Sequence, residues 1–287
     1  MTAFICPICQ APLQPSPQGF GCSERHQFDK AKEGYVNLLP VQQKKSKNPG
    51  DDPKMVQARR AFLAAGHYQF LQQKLIASIC EVIEENTHLP IKTIVDSGCG
   101  EGYYTNGLSH HLGNYLGNHL CEVYGIDIAK TAVRYAAKRA PKERGANTQY
   151  AVASSHALPF ATKSVDILYK VFAPMAEDEV QRVLNPQGYF ISVVPGPNHL
   201  LQLRERIYSQ VNPHQSEPTP QGFTRLNTKN EQKRIILDKS EEIQYLCEMT
   251  PFAWKLSKQV QNELFNSQKL TMDFDFTINI YQPISAE

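Results

Sequence analysis

The segment Lys92-Thr93-Ile94-Val95-Asp96 reads as a buried strand and runs directly into Ser97-Gly98-Cys99-Gly100-Glu101-Gly102, with glycine at every second position. Without Cβ atoms at 98 and 100 the main chain can bend sharply and come up against a small molecule where a helix begins. A dinucleotide turn spaces its glycines G-x-G-x-x-G. The tighter Asp96-x-Gly98-x-Gly100-x-Gly102 form suits the methionine end of S-adenosylmethionine. Asp127 ends the next expected strand, residues 122–127, where a carboxylate can accept both hydroxyls of a ribose.

Strands and helices alternate on from that turn. Helices are expected at 102–112, 129–140 and 178–184, and strands at 148–153, 166–172 and 189–194. This order predicts an α/β chain with a doubly wound parallel sheet, the Rossmann-like, seven-stranded S-adenosylmethionine-dependent methyltransferase fold. Asn185-Pro186-Gln187-Gly188 is expected to stop the last helix. Two more strands are read at 234–237 and 270–281. In the second, Thr271, Asp273, Asp275, Thr277 and Asn279 alternate with apolar residues, the pattern of a half-buried antiparallel edge. Upstream, an amphipathic helical stretch covers 55–85, interrupted at Gly66-His67-Tyr68.

The first 26 residues carry Cys6, Cys9, Cys22 and His26 in the spacing C-x2-C-x12-C-x3-H, that of a tetrahedral zinc site. Four protein ligands leave no open position, so such a metal is structural. A piece this small cannot fold on apolar burial alone, and metal binding would supply its stability. The expected domains are a zinc-binding module at 1–39, a linker and helical segment at 40–90, and a methyltransferase domain at 91–287.

At 41% hydrophobic and 20% charged residues, the 287-residue chain has the composition of an ordinary globular protein. It has no apolar run of membrane-spanning length. Its seven cysteines are odd in number and no secretory signal is seen at the N-terminus, so cytoplasmic location without a disulfide framework is expected. Net charge is only +2, but residues 25–60 hold nine Lys/Arg (among them Lys44, Lys45, Lys47, Arg59 and Arg60) against four acids, a composition suited to phosphate contact.

After the third strand comes Ser154-Ser155-His156-Ala157-Leu158-Pro159-Phe160, a place where such enzymes line the adenine. After the fourth, Phe172-Ala173-Pro174-Met175 stands nearest the methyl group. It is neither the Asn/Asp-Pro-Pro-Tyr of exocyclic amine methylation nor the Pro-Cys of attack at pyrimidine C5, which argues against both chemistries. The Cys-Pro-x-Cys start, Arg25-His26-Gln27-Phe28-Asp29, Ala31-Lys32-Glu33-Gly34-Tyr35-Val36-Asn37-Leu38-Leu39-Pro40, Arg59-Arg60-Ala61-Phe62-Leu63, Gly66-His67-Tyr68 and Thr250-Pro251-Phe252-Ala253-Trp254 resemble the guanine-N1 methyltransferases of bacterial 23S ribosomal RNA nearly end to end.

That resemblance implies methyl transfer from S-adenosylmethionine to N1 of one guanine in a 23S ribosomal RNA hairpin. It also implies Zn2+ on Cys6, Cys9, Cys22 and His26, and a homodimer whose paired modules form a cleft for RNA, with no membrane involvement. Tyr68 and His199 match residues the family uses around the cofactor. With the glycine turn, the cofactor-binding candidates are Tyr68, Asp96, Gly98, Gly100, Glu101, Gly102, Tyr104, Thr105, Asp127, Ser154 and His199; no catalytic base is singled out. Ser97 and Gln187 depart from the usual family residues without touching an inferred role. Phe172, Phe252 and Trp254 are the candidates to sandwich a flipped guanine, with core packing the alternative for the last two. The rival readings are a small-molecule methyltransferase, for example of quinone precursors, and a non-catalytic zinc-dependent RNA-binding factor.

Overall fold

The computed structural model describes residues 2–43, 49–86, 90–115, 121–141 and 147–284; Lys44, Lys45 and Lys47 of the basic segment lie outside the described residues. Three short strands, β1 (Gln14–Ser16), β2 (Gly19–Gly21) and β3 (Gln27–Asp29), form a small antiparallel sheet, and β4 (Tyr35–Asn37) follows. Helices α1 (Pro53–Ala64) and α2 (Gln69–Glu85) come next. Asp52 caps α1, its side chain accepting from the backbone of Lys54 at 2.7 Å and Met55 at 3.0 Å, and Pro53 occupies the first turn, where no N–H is needed.

The alternating region then runs β5 (Thr93–Ser97), α3 (Tyr103–Tyr115), β6 (Glu122–Asp127), α4 (Lys130–Lys138), β7 (Asn147–Val152), β8 (Val165–Val171), α5 (Glu177–Val183) and β9 (Leu184–Pro195). A four-residue helix, α6 (Leu201–Arg204), precedes β10 (Phe223–Leu237), α7 (Ser240–Glu248), α8 (Lys258–Phe265) and β11 (Leu270–Pro283). The large sheet has the order β10-β11-β9-β8-β5-β6-β7-β4. Strands β4 to β9 pair in parallel, while β11 lies antiparallel to both β9 and β10. The chain builds outward from β5 through β6 and β7, then crosses back to β8. The C-terminal ends of β5 and β8 are therefore the switch point, where open α/β sheets bind ligands.

Neighbouring residues on each central strand serve opposite faces. Ile94, Ile167 and Ile191 enter one core with α1, α2, α7 and α8, while Val95, Leu168 and Phe190 enter the other. Phe4, Leu13 and Phe20 of the N-terminal segment are buried in that second core beside Tyr124 and Phe160. The Phe4 ring meets Tyr124 at 5.0 Å and Phe160 at 5.5 Å between centroids, and the Ile5 N–H donates to Pro159 O at 2.9 Å. The cysteine-rich segment thus fills a place on the sheet face that a helix would otherwise cover.

Four expectations change. The short strand expected at Gly34-Tyr35-Val36 within the small module instead extends the large sheet, so seven strands, β5 to β11, are joined by an eighth. Residues 270–281 were expected at an edge; β11 is interior, because β10 pairs along its whole length. That outer strand begins at Phe223 and not at 234, since Thr224 to Lys233 is too polar to show a core-facing alternation. Finally, Asn185-Pro186-Gln187-Gly188 ends α5 as expected but already belongs to β9.

Candidate active site and metal centre

The donor atoms of Cys6, Cys9, Cys22 and His26 all lie within 4.8 Å of one another. Cys9 Sγ and Cys22 Sγ are 3.6 Å apart, and His26 Nδ1 lies 3.4 Å from Cys22 Sγ and 3.6 Å from Cys6 Sγ. A zinc tetrahedron with Zn–S of about 2.3 Å and Zn–N of about 2.0 Å has edges of about 3.5–3.8 Å, so the donor set fits that ion. Local backbone shapes the knuckles. Gln10 N–H donates to Cys6 O at 2.9 Å, Cys22 N–H donates to His26 O at 3.1 Å, and Gln10 and Arg25 adopt φ of 62° and 63° to turn each loop.

At the switch point a cavity of about 700 Å³ opens between the ends of β5, β6, β8 and β9 and the face of α1 that carries Met55, Arg59 and Leu63. Nine of the cofactor candidates line it: Tyr68, Asp96, Gly98, Gly100, Glu101, Tyr104, Asp127, Ser154 and His199. The other two stand behind it. Thr105 is fully buried and its hydroxyl donates to Asp96 Oδ2 at 2.6 Å, while Gly102 faces Ala136 and Tyr150. Gly98 has φ +82°, and a Cβ there would collide with Ala173 of the loop after β8. Gly100 has φ +56° with open space at its Cβ position, and its N–H donates to Asp127 Oδ2 at 2.9 Å. Asp127 also accepts from Ala129 N–H at 2.7 Å through Oδ1, so its carboxylate is held rigid by two backbone donors.

This wall is acidic. Burial pushes the Asp96 carboxyl up to about 7, against the hydrogen bond from Thr105. Burial likewise raises Asp127, opposed by the N–H groups of Ala129 and Gly100, and raises Glu101, opposed by the Arg139 guanidinium at 3.0 Å. Glu101 Oε1 and the Tyr104 hydroxyl are buried without a protein partner. Unpaired acceptors and three carboxylates around a glycine turn suit a ligand that carries sulfonium and ammonium charges. Burial of such groups without a ligand is costly, which is what a binding site and not a packed core looks like.

The far side of the cavity is aromatic. Phe172 leaves β8 with φ +55° and stays 41% exposed, its ring stacked on His199 at 5.8 Å and 27°. Phe252 lines the cavity from the turn Pro251–Trp254, whereas Trp254 lies outside the lining and is 76% exposed, so it is neither core nor cavity wall. Ser155 and His156 line it beside Ser154. Sequence reasoning gave no site role to Asp51, Arg59 and His214, which the fold brings in from a loop expected to be a linker, from α1 and from the segment before β10. Arg59 bonds to Asp51 and donates to Met249 O at 3.2 Å, tying α1 to the end of α7. Its signals were a basic cluster and the Arg59-Arg60-Ala61-Phe62-Leu63 motif, neither of which pointed to the cavity; His214 had none.

A zinc ribbon packed on an S-adenosylmethionine-dependent methyltransferase domain is the class that this fold and these sites define. Residues 88–250 match a family described as a methyltransferase domain, and residues 4–47 match a zinc-ribbon family described as RlmA, N-terminal. A Micromonospora griseorubida protein described as a putative 23S rRNA (guanine-N(1)-)-methyltransferase is 30% identical, covering 87% of this chain and 86% of its own. Its Bacillus subtilis counterpart YxjB is 29% identical over 96% of both chains, and the 23S rRNA (guanine(748)-N(1))-methyltransferase of Streptomyces fradiae 32% identical over 70% and 66%. The chain belongs to the 23S ribosomal RNA guanine-N1 methyltransferase family.

Proposed function

We propose that the protein methylates N1 of one guanine in 23S ribosomal RNA, presented from a hairpin and turned out of its stack into the cavity. The observation that carries this reading is a cavity of about 700 Å³ that takes in both the acidic glycine turn and the aromatic wall of Phe172 and Phe252. Its volume is in the range that encloses a cofactor together with a small reacting group. S-adenosylmethionine supplies an electrophilic methyl group and leaves as a neutral thioether. The residues around it do the positioning, which is most of the catalysis in an in-line displacement.

In this reading the backbone at Gly98 and Gly100 carries the methionine end of the donor, with Asp96, Glu101 and Tyr104 for its charged groups. Asp127 takes the ribose and Ser154 borders the adenine. Gly102 and Thr105 act from behind, Thr105 by fixing Asp96. Tyr68 closes the floor between Phe274 and Phe276, whose ring centroids lie 5.0 and 5.1 Å from its own. His199 borders donor and acceptor sides together. The target base stacks on Phe172, and the mouth is lined by Phe252. The zinc on Cys6, Cys9, Cys22 and His26 stabilises the ribbon that grips the RNA, with Lys30 and Lys32 at the cleft between ribbon and sheet meeting phosphates. Two chains pair their ribbons to complete the RNA cleft, in the cytoplasm, where the ribosomal RNA is. No described helix is long and apolar enough to cross a membrane.

The test is incubation with labelled S-adenosylmethionine and 23S ribosomal RNA lacking base methylation, followed by base-resolved mapping. One N1-methylguanine per RNA is expected. Label transferred to a small molecule and none to RNA would replace this reading with that of a small-molecule methyltransferase.

A further inference from the structure

Guanine N1 carries a proton, and as it leaves, negative charge spreads from N1 onto the neighbouring O6. A site that methylates N1 gains from a hydrogen-bond donor held where O6 will be. His199 is built as such a donor. It is 7% exposed, on the cavity wall, inside a ring of aromatic groups: Phe276 at 4.7 Å, Phe172 at 5.8 Å, Phe274 at 6.2 Å and Tyr68 at 6.5 Å. The backbone N–H of Asp275 points at His199 Nδ1 at 3.4 Å, so Nδ1 is the acceptor and the ring proton sits on Nε2. Among the described residues no hydrogen bond reaches Nε2. Burial, aided by His214 and the Arg204 guanidinium, outweighs the opposing pull of the Asp275 main chain and pushes the imidazole down to about 3. The ring therefore stays neutral through the working pH range, too weak a base to take the N1 proton but fully able to donate.

We propose that His199 donates its Nε2–H to O6 of the target guanine and stabilises the charge that builds there during methyl transfer. This rests on the reading of guanine N1 as the acceptor. In the step, the N1–H bond breaks with its electron pair staying on the base, and the proton passes to solvent. N1 forms the new bond to the methyl carbon as the carbon–sulfur bond breaks, its pair staying on a now neutral sulfur. His199 keeps its own proton throughout. A neutral histidine polarising a carbonyl oxygen is an established use of a lowered imidazole pKa.

The experiment compares wild type with His199→Phe, which fills the aromatic cage, and His199→Gln, which restores a donor near the Nε2 position. Single-turnover methylation is followed on RNA with guanine or 6-thioguanine at the target. S-adenosylmethionine affinity is measured separately by equilibrium dialysis, and the tautomer by imidazole 15N shifts in the labelled protein. Expected are a rate loss of about 10²–10³-fold for His199→Phe, as for loss of one oxyanion donor, and recovery to within about tenfold of wild type for His199→Gln. Because His199 also borders the donor, its affinity should fall somewhat but by far less than the rate measured at saturating donor, and a neutral Nε2–H tautomer should persist from pH 5 to 8. Sulfur at position 6, a poor acceptor, should slow wild type and leave His199→Phe no slower.

Turnover of His199→Phe within about threefold of wild type would overturn the proposal. So would a fall in donor affinity matching the rate loss, equal slowing of both enzymes by sulfur, or an imidazole that titrates between pH 5 and 8. Failure of the underlying reading shows earlier and separately, as a wild-type enzyme that puts no methyl on N1 of any ribosomal guanine.

Discussion

Asp96 sits beneath the glycine turn with 1% of its surface exposed, and its carboxyl titrates near 7 because burial outweighs the Thr105 hydrogen bond. The unfolded carboxyl titrates at 3.8, so the native state binds this proton more tightly. The stabilisation is complete below about pH 4 and is lost as pH rises through 7. Asp96→Asn, neutral at every pH, should therefore gain stability over wild type in urea unfolding at pH 8 and lose that advantage at pH 4. In the proposed site it is the ionised form that meets the donor's positive charge. Wild-type S-adenosylmethionine affinity should weaken as pH falls from 8 to 6, while Asp96→Asn binds weakly with no such slope in isothermal titration. Gly98→Ala places a Cβ against Ala173 at φ +82° and should cost about 1–3 kcal/mol in stability and more than tenfold in donor affinity. These residues were readable because glycine at every second position after a strand costs chain entropy that only a tight turn against a ligand requires. Arg59, Asp51 and His214 were not, because nothing in their neighbours along the chain marks them for the cavity.

Between α6 and β10 the chain crosses the sheet without regular structure and brings His214 to the cavity on the way. Arg204 holds this segment at Asn212 O and Pro197 O holds the His214 N–H, and Glu217 anchors it further on. It pairs with the buried Lys170 of β8 at 3.0 Å and accepts from Ser192 of β9 at 2.9 Å, Asn279 of β11 at 3.2 Å and Tyr281 at 3.3 Å. Asn279 is among the polar residues that made 270–281 look like a solvated edge. It is 1% exposed because Glu217 of the crossing segment covers it, and Asp275 is 2% exposed because the loop after β9 does, Asn198 N–H donating to its Oδ2 at 2.8 Å. Removing one partner of a buried pair strands the other's charge, so Glu217→Ala should cost about 3–5 kcal/mol in denaturant unfolding. Unaltered unfolding would show that Lys170 finds water or another acceptor. On the outer side, β10 carries Lys229, Lys233 and Arg234, charges that discourage further pairing at an open edge.

Across the whole molecule the ribbon is not an appendage. Phe4, Leu13 and Phe20 complete a core that also holds β6, β8 and α5, and β4 pairs Tyr35 to Asn37 with Tyr150 to Val152 of β7. Tyr150 in turn backs Gly102 at the end of the glycine turn. Metal loss should therefore be felt beyond β1 to β3. Chelation, or Cys22→Ser, is expected to lower the unfolding temperature of the entire protein and to raise amide exchange at residues 147–152. Exchange unchanged there would mean that the ribbon unfolds alone. The amino-acid order by itself determined the metal ligands, the glycine turn and the succession of strands and helices, since each is written in spacing or periodicity within a few residues. Tertiary structure alone decided that β4 joins the large sheet, that β11 lies inside it, and that α1 and the crossing segment wall the cavity. Those choices rest on packing between residues far apart in the chain, as with Arg59 and Met249, and contacts of that range leave no local pattern to read.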